Sequence, residues 1–111
     1  MTDTAIDHAI FAELQTTAGA EFVIELVGTF LEEASRMLAE LRSAQAASSA
    51  ERFRRAAHSL KSNSNTFGAL KLGEMARKLE LGGLVADAAP LDALEAEYAR
   101  VAAALTSLCN G

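Results

Sequence analysis

Apolar residues recur every three or four positions along almost the whole chain, which is the spacing of one face of an α-helix. The pattern is clearest near the C-terminus, where the apolar positions are Leu91, Leu94, Tyr98, Val101, Leu105 and Leu108. Only 5% of the residues are aromatic and the chain has a single proline, a balance that favours packed helices over a sheet. The sequence therefore predicts an all-α fold.

Caps, glycines and the proline divide the pattern into five helical segments. The first segment is predicted from about Ile6 to Gln15, with Thr4 as its cap, and the second from about Glu21 to Ala46. The third begins at a capping box formed by Ser48 and Glu51 and continues to about Phe67. The fourth runs from about Leu70 to Leu81, before Gly82 and Gly83, and the fifth begins at Pro90. A chain of this length is enough for one domain, which we assign to residues 1–111. Four long helices with short loops predict an antiparallel four-helix bundle with a short additional N-terminal helix.

The second segment is predicted to be a core helix because two adjacent apolar stripes run along it. The first stripe contains Phe22, Leu26, Phe30, Met37 and Leu41, and the second contains Val23, Val27, Leu31, Ala34 and Leu38.

The N-terminal residues, the acidic residues and the cysteine content give expectations about where the protein is found. The N-terminus has no basic segment followed by an apolar run, so no secretory or transit signal is expected. Glu25, Glu32 and Glu33 interrupt the most apolar stretch, so we expect no membrane span. Cys109 is the lone cysteine, which favours a reducing compartment. We expect a complete, free-standing cytoplasmic protein.

The two histidines do not form a familiar metal or cofactor site. Neither His8 nor His58 has a glutamate three residues earlier, as di-iron bundles do, and no glycine-rich phosphate loop is present. We therefore expect the chain to have no cofactor of its own and no kinase activity by itself.

Positive charge is concentrated in the middle of an acidic chain. The net charge is −5, which argues against general nucleic-acid binding. Residues 51–78 nevertheless contain seven of the ten cations, namely Arg52, Arg54, Arg55, Lys61, Lys71, Arg77 and Lys78, against two glutamates. This window is either a surface for a specific anionic partner or a solvated helix face.

The third segment has an unusual polar side. With about 100° per residue and Leu60 at zero, Phe53, Ala57, Ser64 and Phe67 form the core face, and His58 lies about 160° away. The side chains sharing the exposed side with His58 are Arg54, Arg55, Lys61, Ser62 and Asn65. A lone histidine on a polar face is usually an ordinary surface residue. Here the cations would stabilise a phosphate on the imidazole, and the small residues would let another protein approach it.

Residues 57–72, AHSLKSNSNTFGALKL, resemble the signature of histidine phosphotransfer (HPt) domains. The matching positions are His58, Leu60, Lys61, Phe67, Gly68 and Ala69, and Leu79-Glu80 stands where the family has a Leu-Glu pair one helix later. The resemblance extends over nearly the whole chain, because the other helices also have family counterparts.

The resemblance implies roles for individual residues and for partners. His58 would take the phosphoryl group on Nε2, Lys61 would contact the phosphate, Leu60 and Phe67 would be core, and Gly68 would allow close helix packing. The implied partners are a response-regulator receiver domain, which supplies an aspartate and Mg²⁺, and a hybrid histidine kinase. The protein would act as a phosphotransfer intermediate and as a monomer, although the apolar seam of the fifth segment could instead support a dimer.

Ser62 departs from the family pattern, which has glycine at this position. The serine puts the closeness of docking in doubt, although its hydroxyl could instead hydrogen-bond the ring or the phosphate. A second hypothesis also remains open: a bundle of the same fold that docks on a kinase or regulator, for example as an inhibitor, without being phosphorylated. The identity of the kinase and regulator, and the direction of phosphoryl flow, are not contained in the sequence.

Overall fold

In the computed structural model, which describes residues 5–110, the chain forms five α-helices. They are α1 (His8–Ala18), α2 (Ala20–Ala46), α3 (Ala50–Thr66), α4 (Leu70–Gly82) and α5 (Ala89–Asn110). Successive long helices are joined by short connections and pack antiparallel around one apolar core. The predicted all-α bundle with a short N-terminal helix is confirmed. No helix within residues 5–110 is long and apolar enough to span a membrane.

The caps of α1 and α3 differ from those predicted. Thr4 lies outside the described residues, and Asp7 caps α1 by accepting hydrogen bonds from the N–H groups of Ala9 and Ile10. The prediction of Ser48 as the cap of α3 is wrong by one residue. Ser48 has a φ of 56° in the tight turn after α2, so Ser49 becomes the cap and accepts from the N–H of Arg52.

The second apolar stripe of α2 points more directly into the core than the first. Val23, Val27, Ala34 and Leu38 are buried, whereas Phe22 is 52% exposed. The prediction of Phe22 as core is therefore wrong. It lies in the first turn of α2 next to Val23, which is fully buried, so the helix is packed there and Phe22 occupies its exposed side. The seam predicted for α5 is buried at Leu91, Leu94, Val101 and Leu105.

Helix α1 is attached where α3 turns into α4. The N–H of Asp7 donates to the carbonyl of Gly68 at 2.8 Å. Gly68 has a φ of +83°, and a Cβ atom there would lie 2.8 Å from the carbonyl oxygen of Asp7. Only glycine fits this crossing without strain. The contact fixes the end of α3 and hence the position of that helix in the bundle.

Candidate functional site

Helix α3 divides into a buried face and an exposed face along the predicted line. Phe53, Ala57, Leu60 and Ser64 are fully buried, and Phe67 just after the helix stacks on Phe30 of α2 with ring centroids 4.9 Å apart. On the other side, the His58 side chain is 56% exposed. The core face therefore holds the imidazole outward, where another protein can reach it.

A glutamate of α4 connects His58 with Lys61. Nδ1 of His58 lies 2.8 Å from Oε2 of Glu80, and Nζ of Lys61 lies 2.9 Å from Oε1 of the same carboxylate. Because an ionised carboxylate only accepts hydrogen bonds, the first contact assigns the ring proton to Nδ1. In the neutral ring, Nε2 then carries the lone pair, which is the nucleophile of an imidazole.

The same contacts keep Glu80 ionised. The hydrogen bond from Lys61 and, after it, that from His58 hold the pKa of the Glu80 carboxyl below its ordinary value. A depressed carboxyl pKa stabilises the folded state above the pH at which the unfolded chain titrates, and this contribution is lost as the pH falls through the folded pKa. Near neutral pH, Glu80 therefore acts as a fixed negative charge beside the ring.

The two adjacent arginines lie on different sides of α3. Arg54 lines an open furrow of about 480 Å³ between the start of α3 and the end of α4, together with Glu80 and the exposed Leu81. Arg55 lines a larger furrow of about 620 Å³ between α2 and α3. The structure thus places both cations near the histidine but not beside each other.

Ser62 and Asn65 are both exposed. Ser62 is one turn after His58, and its hydroxyl makes no hydrogen bond with any of residues 5–110. Asn65 is two turns after His58, roughly 10 Å along the axis. Its amide oxygen packs against Gly73 of α4, on the space that a Cβ atom would need. The structure therefore brings Ser62 to the histidine and turns Asn65 toward α4.

No group of three or more His, Cys, Asp or Glu side chains that could hold a metal occurs in the described part of the chain.

Comparison with protein families shows to which family the chain belongs. A family model described as the Hpt domain matches residues 25–104, which include α3, α4 and most of α2 and α5. The chain belongs to the Hpt domain family. A histidine phosphotransfer function in phosphorelays therefore follows for this Hpt protein.

A solved structure has the same fold. The chain superposes on the crystal structure of histidine-containing phosphotransfer protein B (HptB) from Pseudomonas aeruginosa PAO1 with a TM-score of 0.85. The two sequences are 24% identical, and the match covers 98% of this chain and 97% of the other. A comparison with curated proteins found no significant match.

Glu80 is the residue of this Hpt site that the sequence did not single out. It lies 22 residues after His58, on the next helix, so helical spacing within α3 could not reveal the contact. The available signal was the Leu79-Glu80 pair, to which the family resemblance had assigned no role. In the structure, Leu79 faces the core and Glu80 faces the histidine.

Proposed function

We propose that His58 is the phosphorylated residue of this Hpt protein and that it exchanges the phosphoryl group with an aspartate on a receiver domain. The observation that supports this most is the contact of Glu80 with both His58 and Lys61, on a helix face where the ring is exposed. In the neutral ring, that contact leaves the lone pair on Nε2, which is directed away from Glu80, and Lys61 supplies a positive charge at the other oxygen of the same carboxylate.

In the proposed transfer, the lone pair of Nε2 attacks the phosphorus of an aspartyl phosphate in line with the bond that breaks. A P–N bond forms, the P–O bond breaks, and its electron pair stays on the aspartate carboxylate. The ring retains its Nδ1 proton and gains a positive charge, which the carboxylate of Glu80 stabilises. The reverse reaction returns the phosphoryl group to an aspartate.

Lys61 has two roles in this proposal. Its ammonium group pairs with Glu80 in the free protein and lies one turn from His58, close enough to reach the phosphate when it arrives. The partner receiver would hold Mg²⁺, whose charge would neutralise the phosphoryl oxygens during transfer.

The chain would depend on partners for its phosphoryl supply. We propose that a hybrid histidine kinase provides this supply and that the protein is a cytoplasmic monomer without autokinase activity. The lone Cys109, which has no internal disulfide partner, supports a reducing compartment.

Label transfer from a phosphorylated receiver domain, in the presence of Mg²⁺, tests the proposal. His8 on α1 is also exposed and provides a matched control. We expect acid-labile, alkali-stable label on the wild type and on His8→Gln, and none on His58→Gln. Label on His58→Gln would overturn the assignment. No label on the wild type from any of several receivers would favour a docking module that is not phosphorylated.

A further inference from the structure

The direction of the His58 ring distinguishes the two sides of α3. Glu80 holds Nδ1 from the α4 side. The two nitrogens of an imidazole point to nearly opposite sides of the ring, so Nε2 is directed away from α4. Ser62 and Arg55 lie on that side of the helix surface, and α2 lies beyond them.

Both the residues around Arg55 and its angular position about the axis of α3 place it on the side of α3 that faces α2. The furrow that it lines contains Met37 and Glu40 of α2. The hydrogen bond from Arg52 and the nearby charge of Arg55 hold the pKa of Glu40 below its ordinary value. Arg54, by contrast, shares its furrow with Glu51 and Glu80, whose negative charges offset its own.

The other cations of the α2 side are already paired. Arg52 donates to Glu40 at 2.9 Å, and Arg36 pairs with Glu33. Arg55 makes no ion pair or hydrogen bond through its side chain with any of residues 5–110. It is therefore the cation on the Nε2 side that can meet an anionic partner without first breaking a pair.

The floor of the same furrow has the side chains expected of a surface that binds another protein. Met37, Ala39 and Ala56 supply apolar or small side chains, and Ser59 lies at the edge nearest His58. A partner that places an acidic pocket over Nε2 from this side would cover the furrow and bring its carboxylates toward Arg55.

We propose that the receiver domain approaches His58 across the furrow between α2 and α3, and that Arg55, rather than Arg54, orients its acidic pocket. This inference rests on the proposed function and assigns the docking side and the docking cation. Arg55 is a positioning residue: it does not touch the reacting atoms, and it acts on the encounter and on the alignment of the two proteins.

The test measures the rate of transfer from a phosphorylated receiver at increasing receiver concentration and at several salt concentrations. The variants are Arg55→Ala, Arg54→Ala, Arg55→Lys and, as a control, Lys78→Ala, which removes an exposed cation from α4. Removal of a rim charge acts mainly on association, so for Arg55→Ala we expect kcat/KM to fall about tenfold at low salt with kcat changed less than about twofold. The salt dependence should flatten, and Arg55→Lys should restore most of the rate because it keeps the charge.

Arg54→Ala should resemble Lys78→Ala more closely than Arg55→Ala. An equal or larger loss of kcat/KM for Arg54→Ala would overturn the assigned docking side. A fall in kcat for Arg55→Ala without a change in KM or in salt dependence would overturn its positioning role. Both results require label on the wild type, so they are distinct from the failure of the proposed function, in which the wild type takes no label.

Discussion

In the middle of α3, around His58, this helix meets α4 through the tips of side chains, whereas just beyond the C-terminal end of α3 the contacts involve the backbone. The Glu80 carboxylate accepts a hydrogen bond from His58 and forms an ion pair with Lys61. The C-terminal end is joined by the hydrogen bond from Asp7 to the Gly68 carbonyl, at a crossing with no room for a Cβ atom. Side-chain contacts at a half-exposed surface contribute little to stability, while a strained or blocked backbone crossing changes it strongly.

The two regions should therefore respond differently to substitution. Changes at Gly68 should lower the free energy of unfolding and leave the chemistry of the folded protein intact. Changes around His58 should lower the rate of transfer and leave the free energy of unfolding nearly unchanged.

Gly68→Ala is expected to have the largest effect on stability. The left-handed φ and the clash with the carbonyl of Asp7 should lower the free energy of unfolding by about 2 kcal/mol or more. Urea unfolding measures this change. Gly28→Ala is a matched control, because Gly28 lies within α2 with open space around it and should gain up to about 1 kcal/mol from better helix propensity. If Gly68→Ala kept the free energy of unfolding of the wild type but slowed transfer, the expected difference between the two regions would be contradicted.

Glu80→Ala is expected to have the largest effect on transfer among the residues around His58. Loss of the hydrogen bond to Nδ1 frees the ring to change tautomer and removes the charge that stabilises the phosphorylated ring, so the rate should fall about ten- to a hundredfold. Quenched-flow transfer from a phosphorylated receiver measures it.

The control for Glu80 is Glu74→Ala, which removes a different carboxylate of α4, one that is exposed and pairs with Arg77 on its own helix. Its rate should equal that of the wild type. If both variants lost the same activity, the effect would belong to the charge of α4 as a whole and not to the contact with His58.

Lys61→Ala should slow transfer by less than Glu80→Ala, because the ring keeps its hydrogen bond while the phosphate loses one cation. The Lys61 side chain is partly buried, and an ion pair of this kind contributes little to stability, so the free energy of unfolding should change by only about 1 kcal/mol or less. Thermal unfolding and the transfer rate, measured on the same preparation, separate the two effects. An unchanged rate would remove Lys61 from the mechanism.

Ser62→Gly should have the smallest effect. The serine hydroxyl has no hydrogen-bond partner among residues 5–110, and glycine leaves more room over the ring, so transfer should stay at or above the wild-type rate. Glycine within a helix should lower the free energy of unfolding by roughly half a kcal/mol. A large loss of transfer would show that the hydroxyl contacts the ring or the phosphate.

Features that depend on the period of a helix could be predicted from the sequence. The buried face of α3 and the outward position of His58 follow from about 100° per residue, and neither requires knowledge of the neighbouring helices. Phe22 was misplaced because the sequence offers two adjacent apolar stripes in the first turn of α2, and only Val23 of the second stripe faces the packed neighbours there. The cap of α3 was misplaced by one residue because both Ser48 and Ser49 are capping residues, and only the turn geometry chooses between them.

The parts of the site that could not be predicted depend on how the helices are arranged around α3. The sequence places Arg54 and Arg55 together in one basic window, and only the positions of α4 and α2 separate them into different furrows. Glu80 contacts His58 because the packing register of α4 against α3 places the Glu80 carboxylate beside the imidazole. The hydrophobic pattern within either helix does not predict that register.

The chemistry and the proposed docking surface lie on different elements of the chain. His58, Lys61 and Glu80 all lie within one helical hairpin, α3 and α4, whereas α2 supplies much of the furrow beside them. The hairpin that carries the site can therefore be separated from the helix that supplies much of the docking surface. A chimaera could keep α3 and α4 but carry the exposed residues of another family member's α2. We expect it to retain His58 as the proposed phosphorylation site and to bind a different receiver domain, so that a change in one helix would change partner specificity.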